Sequence, residues 1–102
     1  MSRPKKGRCC QVTPNAVYFK PRGIPLVQLE EMNLELDEVE ALRLADYEGL
    51  YHEEAALKMG VSRATFGRIV SGARHKVAQA IIRGMALRIE TRSNNNGEEE
   101  SG

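Results

Sequence analysis

Two sets of residues in this sequence have side chains and spacings suited to chemistry. The first is the adjacent pair Cys9-Cys10, with His52 and His75 far along the chain. Neighbouring cysteines strain the peptide between them when they close on each other. Two thiols with distant imidazoles also lack the spacing of a metal site. They read as reduced thiols, as expected of a cytoplasmic protein. No nucleophile lies beside a base and no phosphate loop occurs, so neither an enzyme nor a cofactor is expected. The second set is Ser62, Arg63, Ala64, Thr65, Gly67, Arg68, Ser71, Arg74 and Lys76, and it suits binding rather than catalysis. Arg63 and Arg68 carry planar donors that fit guanine edges or phosphates. Ala64 and Gly67 are small enough for a backbone to approach a groove. Ser62 and Thr65 bring hydroxyls for backbone contacts, and Arg74 and Lys76 sit further on, where phosphate contacts are expected.

That assignment requires a helix. Phe66, Ile69, Val70, Ala73, Val77, Ala80 and Ile81 recur at steps of three and four, the stripe of a helix buried on one side. It predicts a helix from Arg63 to Arg83, capped by Ser62 and ended by Gly84. Arg63, Ala64, Gly67, Arg68 and Ser71 lie off the stripe, near the helix start. A preceding helix is predicted from Tyr51 to Met59, with Ala55, Ala56 and Met59 for packing and Gly60 in the turn. A small residue at the crossing, a glycine turn and flanking apolar positions make a helix-turn-helix.

Further upstream, Asp37 with Glu40 reads as a capping pair for a helix to about Tyr47. Val39, Leu42 and Ala45, widened by Ala41 and Leu44, form an apolar face too broad for one partner helix. The Tyr18 to Met32 region is expected to cover the remainder. Val17 to Phe19 reads as extended, and Pro21, Gly23 and Pro25 exclude a regular helix. Leu26, Val27, Leu29 and Met32 suit a turn or short helix. Met85 to Ile89 fits a short strand or a helix tail equally. The fold class expected is mainly α: a small three- to four-helix helix-turn-helix domain with an irregular N-terminal arm. Residues 1–35 form a basic arm and cover segment, 36–90 the helical domain, and 91–102 a disordered acidic tail.

Composition bounds the rest. The chain has 102 residues, of which 28% are charged and 5% aromatic, with no Trp. One domain with a modest aliphatic core follows. No apolar run approaches a membrane span, and the basic N-terminus lacks the apolar stretch of a secretory signal, so a cytoplasmic location without membrane partners is expected. The net charge of +1 conceals segregation. Arg3, Lys5, Lys6, Arg8, Lys20 and Arg22 precede a stretch from Glu30 to Glu54 with ten acids and one arginine, Arg43. Lys58 to Arg88 is again free of acids. A polyanion senses such a distribution rather than the sum.

Four stretches carry a family resemblance: Tyr18 to Leu26, Leu36 to Asp46, Glu53-Glu54-Ala55-Ala56, and Met59 to Arg63 with Thr65 to Arg68. In combination they resemble the UPF0251 family, also called domain of unknown function 134, from about Arg3 to Ile89. The resemblance implies a DNA-binding protein of bacteria and archaea whose helical part is similar to sigma-factor region 4, which reads the promoter −35 element. Some members of that family resemble fusions to a domain akin to nitrogenase iron-molybdenum cofactor-binding proteins. This chain is expected to end before such a domain, so no cofactor role carries over. The function expected is sequence-specific recognition of double-stranded DNA by a transcription regulator. A single module of this kind binds weakly, so a homodimer or higher homo-oligomer is expected, pairing through Met85 to Ile89 or the Tyr18 region. The alternative is a protein-interaction module that docks on RNA polymerase or another regulator through the acidic Glu30 to Glu54 face.

Overall fold

The computed structural model describes residues 17–90. The N-terminal arm before Val17, with Cys9 and Cys10, and the acidic tail after Glu90 lie outside the described residues. Strand β1 (Tyr18–Phe19) is followed by a 3-10 turn (Leu26–Gln28) and strand β2 (Glu31–Leu34). Helix α1 (Leu36–Leu42) runs into a π-helical segment (Arg43–Tyr47). Helices α2 (His52–Met59) and α3 (Arg63–Arg83) come next, and strand β3 (Ala86–Ile89) closes the described chain. The protein is mainly helical with a small three-stranded sheet.

Helix α3 is the element around which the others assemble. Ser62 has extended backbone and its side chain accepts from the Thr65 N–H at 3.0 Å, so the cap read from the sequence forms. Gly84, at φ +68°, ends the helix after Arg83. Phe66, Val70, Ala73 and Ala80 are buried along one side. Ile81 departs from the expected stripe and is 71% exposed. At about 100° per residue, its direction from the axis is about 60° from Phe66 and about 80° from Ala73, past Val70 at the edge of the buried arc. Helices α1 and α2 both pack on α3, and the core joins Ala41 and Leu44, Ala55, Ala56 and Met59 of α2, and Phe66 and Val70.

The turn between α2 and α3 depends on Gly60. Its φ is +72°, and its N–H closes on the Leu57 carbonyl at 3.1 Å, while Val61 N–H reaches Ala56 at 3.0 Å. A residue with a Cβ is strained there.

Helix α1 departs from its sequence reading in three respects. Its cap is Glu35, paired with Glu38 in a capping box, rather than Asp37 with Glu40. Glu40 is instead 1% exposed and bonded through both carboxylate oxygens to Arg43, at 2.9 and 3.0 Å. Arg43 is shared with Glu48 on its other side, and the hydrogen bond to Glu40 raises its pKa. A carboxylate enters the interior because a guanidinium on the next turn accompanies it. Finally, the helix widens after Leu42. Glu48 N–H bonds Arg43 at 2.8 Å across five residues, and Leu50 N–H reaches Leu44 at 3.0 Å.

Strand β3 resolves the alternative at Met85 to Ile89. It lies in the middle of the sheet, antiparallel to β1 (Tyr18 opposite Arg88) and parallel to β2 (Glu31 opposite Ala86). Met32 belongs to β2 rather than to a helical turn. The segment before α1 thus covers the helices through strands held by the chain's own C-terminal strand.

Candidate nucleic-acid interface

The outward side of α3 is defined by its buried side. Ala64, Arg68, Ser71 and His75 follow at steps of four, three and four and are all exposed. They form one stripe opposite Phe66, Val70 and Ala73. Gly67 lies on its flank towards α2. Nothing in the interior demands glycine there, because a Cβ would sit 4.0 Å from His52 Nδ1, an ordinary contact. Glycine inside a helix costs about 1 kcal/mol relative to alanine, and here packing offers no return for that cost. His52 in turn packs edge-on against Phe66, with ring centroids 5.2 Å apart, locking α2 to the base of the stripe.

Ser62 and Thr65 are committed to the cap. Their hydroxyls lie 3.0 Å apart, and Arg68 Nη2 donates to Thr65 Oγ1 at 3.3 Å. Thr65 therefore steadies the Arg68 guanidinium from one turn below. Arg68 has no carboxylate partner among the described residues. The other charged residues of α3 do have one: Arg63 with Glu53 at 3.9 Å, Arg74 with Asp46 at 2.8 Å, Lys76 with Glu38 at 2.8 Å and Arg83 with Glu30 at 2.9 Å. The Arg63 pair is long and exposed on both sides, so water screens it.

Lys76 does not join the stripe. Its ammonium donates to the Asn33 carbonyl at 2.9 Å and to Glu38, on the side of α3 facing α1 and β2. Its position, about 100° from His75, turns it away from the outward face. Arg74 lies on the opposite flank, where Asp46 of the π-helical segment holds it through two bonds of 2.8 and 3.0 Å. That pairing lowers the Asp46 pKa and raises that of Arg74. Arg74 and Arg63 also line a shallow cleft of about 270 Å³ with Ala45, Leu50, Tyr51 and His52. The N-terminus of α2 opens beside it without a side-chain cap, and Glu53 of its first turn also lines the cleft, which therefore carries both signs of charge.

Sequence reasoning missed two residues of this surface. His75 completes the stripe and was legible from its spacing, four residues after Ser71. Tyr51, exposed at the start of α2 and bordering the cleft, carried no signal beyond its place before a helix. Among the described residues no group of three or more His, Cys, Asp or Glu is placed to hold a metal ion, and no helix is long and apolar enough to cross a membrane.

The family model described as Protein of unknown function DUF134 matches residues 1–95. The chain belongs to the DUF134 family. Among similar curated proteins are UPF0251 proteins of Desulforudis audaxviator and Desulfosudis oleivorans. Each is 57% identical over 90 residues, covering 88% of this chain and 59% and 65% of the relative. The UPF0251 protein of Halothermothrix orenii is 54% identical over 90 residues, covering 88% of this chain and 67% of the relative. The DUF134 chain thus spans about three fifths to two thirds of the length of these relatives. No solved structure matches it.

Proposed function

We propose that this DUF134 chain binds double-stranded DNA sequence-specifically, as a transcription regulator, and reads base edges in the major groove with the outward stripe of α3. One observation carries the reading: Arg68, steadied by Thr65 and without an acid partner among the described residues, stands on a stripe otherwise made of small or neutral residues. Ala64 and Gly67 let the helix approach closely, and Arg68 offers the paired donors that fit guanine. Arg63 supplies a phosphate contact beside it, and Arg74 stands where a second forms once Asp46 releases it. Lys76 is not among these contacts, because Glu38 and Asn33 hold it elsewhere.

The charge segregation of the sequence supports this reading over docking through an acidic face. Glu30, Glu38, Glu40, Asp46 and Glu48 each pair with a base of the same chain, and Glu31 accepts from the Tyr18 hydroxyl. These acids are spent internally, and Arg68 is the cation of α3 left without one among the described residues.

Selection of binders from a random duplex pool tests the proposal. An enriched site is expected, and Arg68→Ala is expected to lose about 1–3 kcal/mol of discrimination at one base position. Enrichment of no site, with only salt-sensitive binding to all duplexes, would leave charge attraction alone.

A further inference from the structure

The far end of α3 carries an apolar surface that the fold leaves uncovered. Ile81 is 71% exposed, Ile82 82% and Phe19 52%. Beside them lies a cleft of about 320 Å³ whose lining includes Phe19, Pro21, Ala80, Ile81, Met85 and Leu87. Ile82 stands about 100° further around the helix than Ile81, so a projecting side chain and a recess of similar character sit next to each other. We propose that this surface joins two copies of the chain about a twofold axis, with Ile82 of each copy seated in the other's cleft.

Three observations select a second copy as the occupant. A knob and a hole on the same patch are both filled when the patch meets itself, which is the isologous arrangement that closes as a dimer. The cations at the rim are already engaged. Arg83 is paired with Glu30 at 2.9 Å, Arg88 with Glu90 at 3.3 Å, and Lys20 folds back on the Pro21 and Ile24 carbonyls. The carbonyls satisfy the Lys20 ammonium without neutralising it, so of these three cations one remains charged on each of the two identical rims.

The area fits a weak dimer. A fully exposed large apolar side chain offers on the order of 100 Å², so Ile81, Ile82 and Phe19 contribute roughly 200 Å² per copy. Doubled, that is about 400 Å² of apolar side chain. With Met85, Leu87 and a polar rim the contact stays below about 1,200 Å² in total, the range of weak, transient interfaces. Such a contact suits a dimer that assembles at micromolar concentration and tightens on a two-part DNA site.

The spacing rests on the DNA-binding reading above. Ile82 lies fourteen residues beyond Arg68, about 21 Å along the helix. Pairing at Ile82 places the two Arg68 side chains up to about 42 Å apart when the helices are collinear, and closer when they cross. One turn of duplex, about 34–36 Å between half-sites, falls within that reach.

Analytical ultracentrifugation of the full chain from micromolar to near-millimolar concentration tests the interface without DNA. The expected result is a monomer–dimer equilibrium whose midpoint rises at least tenfold in Ile82→Asp and several-fold in Ile82→Ala. At a concentration where the wild type is monomeric, thermal melting should be nearly unchanged in both, since the residue is exposed in the monomer. Leu57→Asp, an equally exposed apolar position on α2, is expected to leave the equilibrium alone. A wild-type chain that stays monomeric throughout, or a dimer indifferent to both Ile82 variants, overturns the proposal. The DNA reading fails separately: a dimer lost in Ile82→Asp supports this interface even if no duplex is enriched.

Discussion

Replacing Asp46 by Asn is expected to move stability and DNA affinity in opposite directions. Asp46 accepts two bonds from Arg74, at 2.8 and 3.0 Å, and each side chain is 47% exposed. The geometry is bidentate, the strongest form of such a pair, but half-exposure screens it. Its contribution therefore sits near the top of the surface range, about 1 kcal/mol. For a domain of this size that corresponds to a fall of about 4–8 °C in melting temperature. The sign of the pH dependence follows from the lowered Asp46 pKa, caused first by the Arg74 hydrogen bond. A depressed carboxylate contributes fully above its unfolded pKa of about 3.9, and the contribution is lost as pH falls through the folded value. The wild-type advantage should therefore be constant from about pH 5 to 7 and shrink towards pH 3. For DNA the same substitution removes a negative charge beside the cleft and frees Arg74 for a phosphate. Affinity for an enriched duplex is expected to rise about three- to tenfold at low salt, with a salt slope steeper by about one. Calorimetric melting across pH and fluorescence anisotropy at two salt concentrations measure the two effects. A variant that melts like the wild type at pH 7 would refute the pair's energetic role. One that binds duplex more weakly would refute the role given to Arg74.

Other substitutions probe separate parts of the argument. Arg43→Ala leaves Glu40 buried without its partner and is expected to cost about 3 kcal/mol in urea denaturation, whereas Glu48→Ala costs less than about 1 kcal/mol. Equal costs would show that burial of Glu40 is not what makes Arg43 necessary. Ser62→Ala removes the side-chain cap of α3 and should lower stability by about 1 kcal/mol in the same assay. Gly60→Ala forces a Cβ onto a backbone at φ +72° and should cost about 1–2 kcal/mol. Lys76→Ala is expected to weaken the fold by at most about 1 kcal/mol through loss of the Glu38 contact, and to leave duplex affinity and its salt slope unchanged. A slope reduced by about one would return Lys76 to the phosphate contacts.

Local signals in the sequence carried the helical half of this protein. The period of Phe66, Val70, Ala73 and Ala80, Ser62 before it and Gly84 after it suffice for α3, because helix periodicity and caps are properties of neighbours in the chain. Gly60 and Ala56 marked the turn and the close crossing for the same reason. The outward positions Ala64, Gly67, Arg68 and Ser71 then follow from the buried ones by helical geometry alone. What the sequence did not disclose depends on partners distant along the chain. Met85 to Ile89 has no periodicity that distinguishes a strand from a helix tail, and only pairing with Tyr18 and Glu31 on its two sides makes it β3. Glu40 reads as the capping partner of Asp37 until the part-buried Arg43 is seen to accompany it into the core. Arg74 and Lys76 look alike on a basic helix, yet Asp46 and Glu38, 28 and 38 residues earlier, hold them on opposite flanks. Charge composition records which acids and bases exist. Only the tertiary structure decides which of them neutralise each other and so leaves Arg68, among the described residues, without an acid on the outward face.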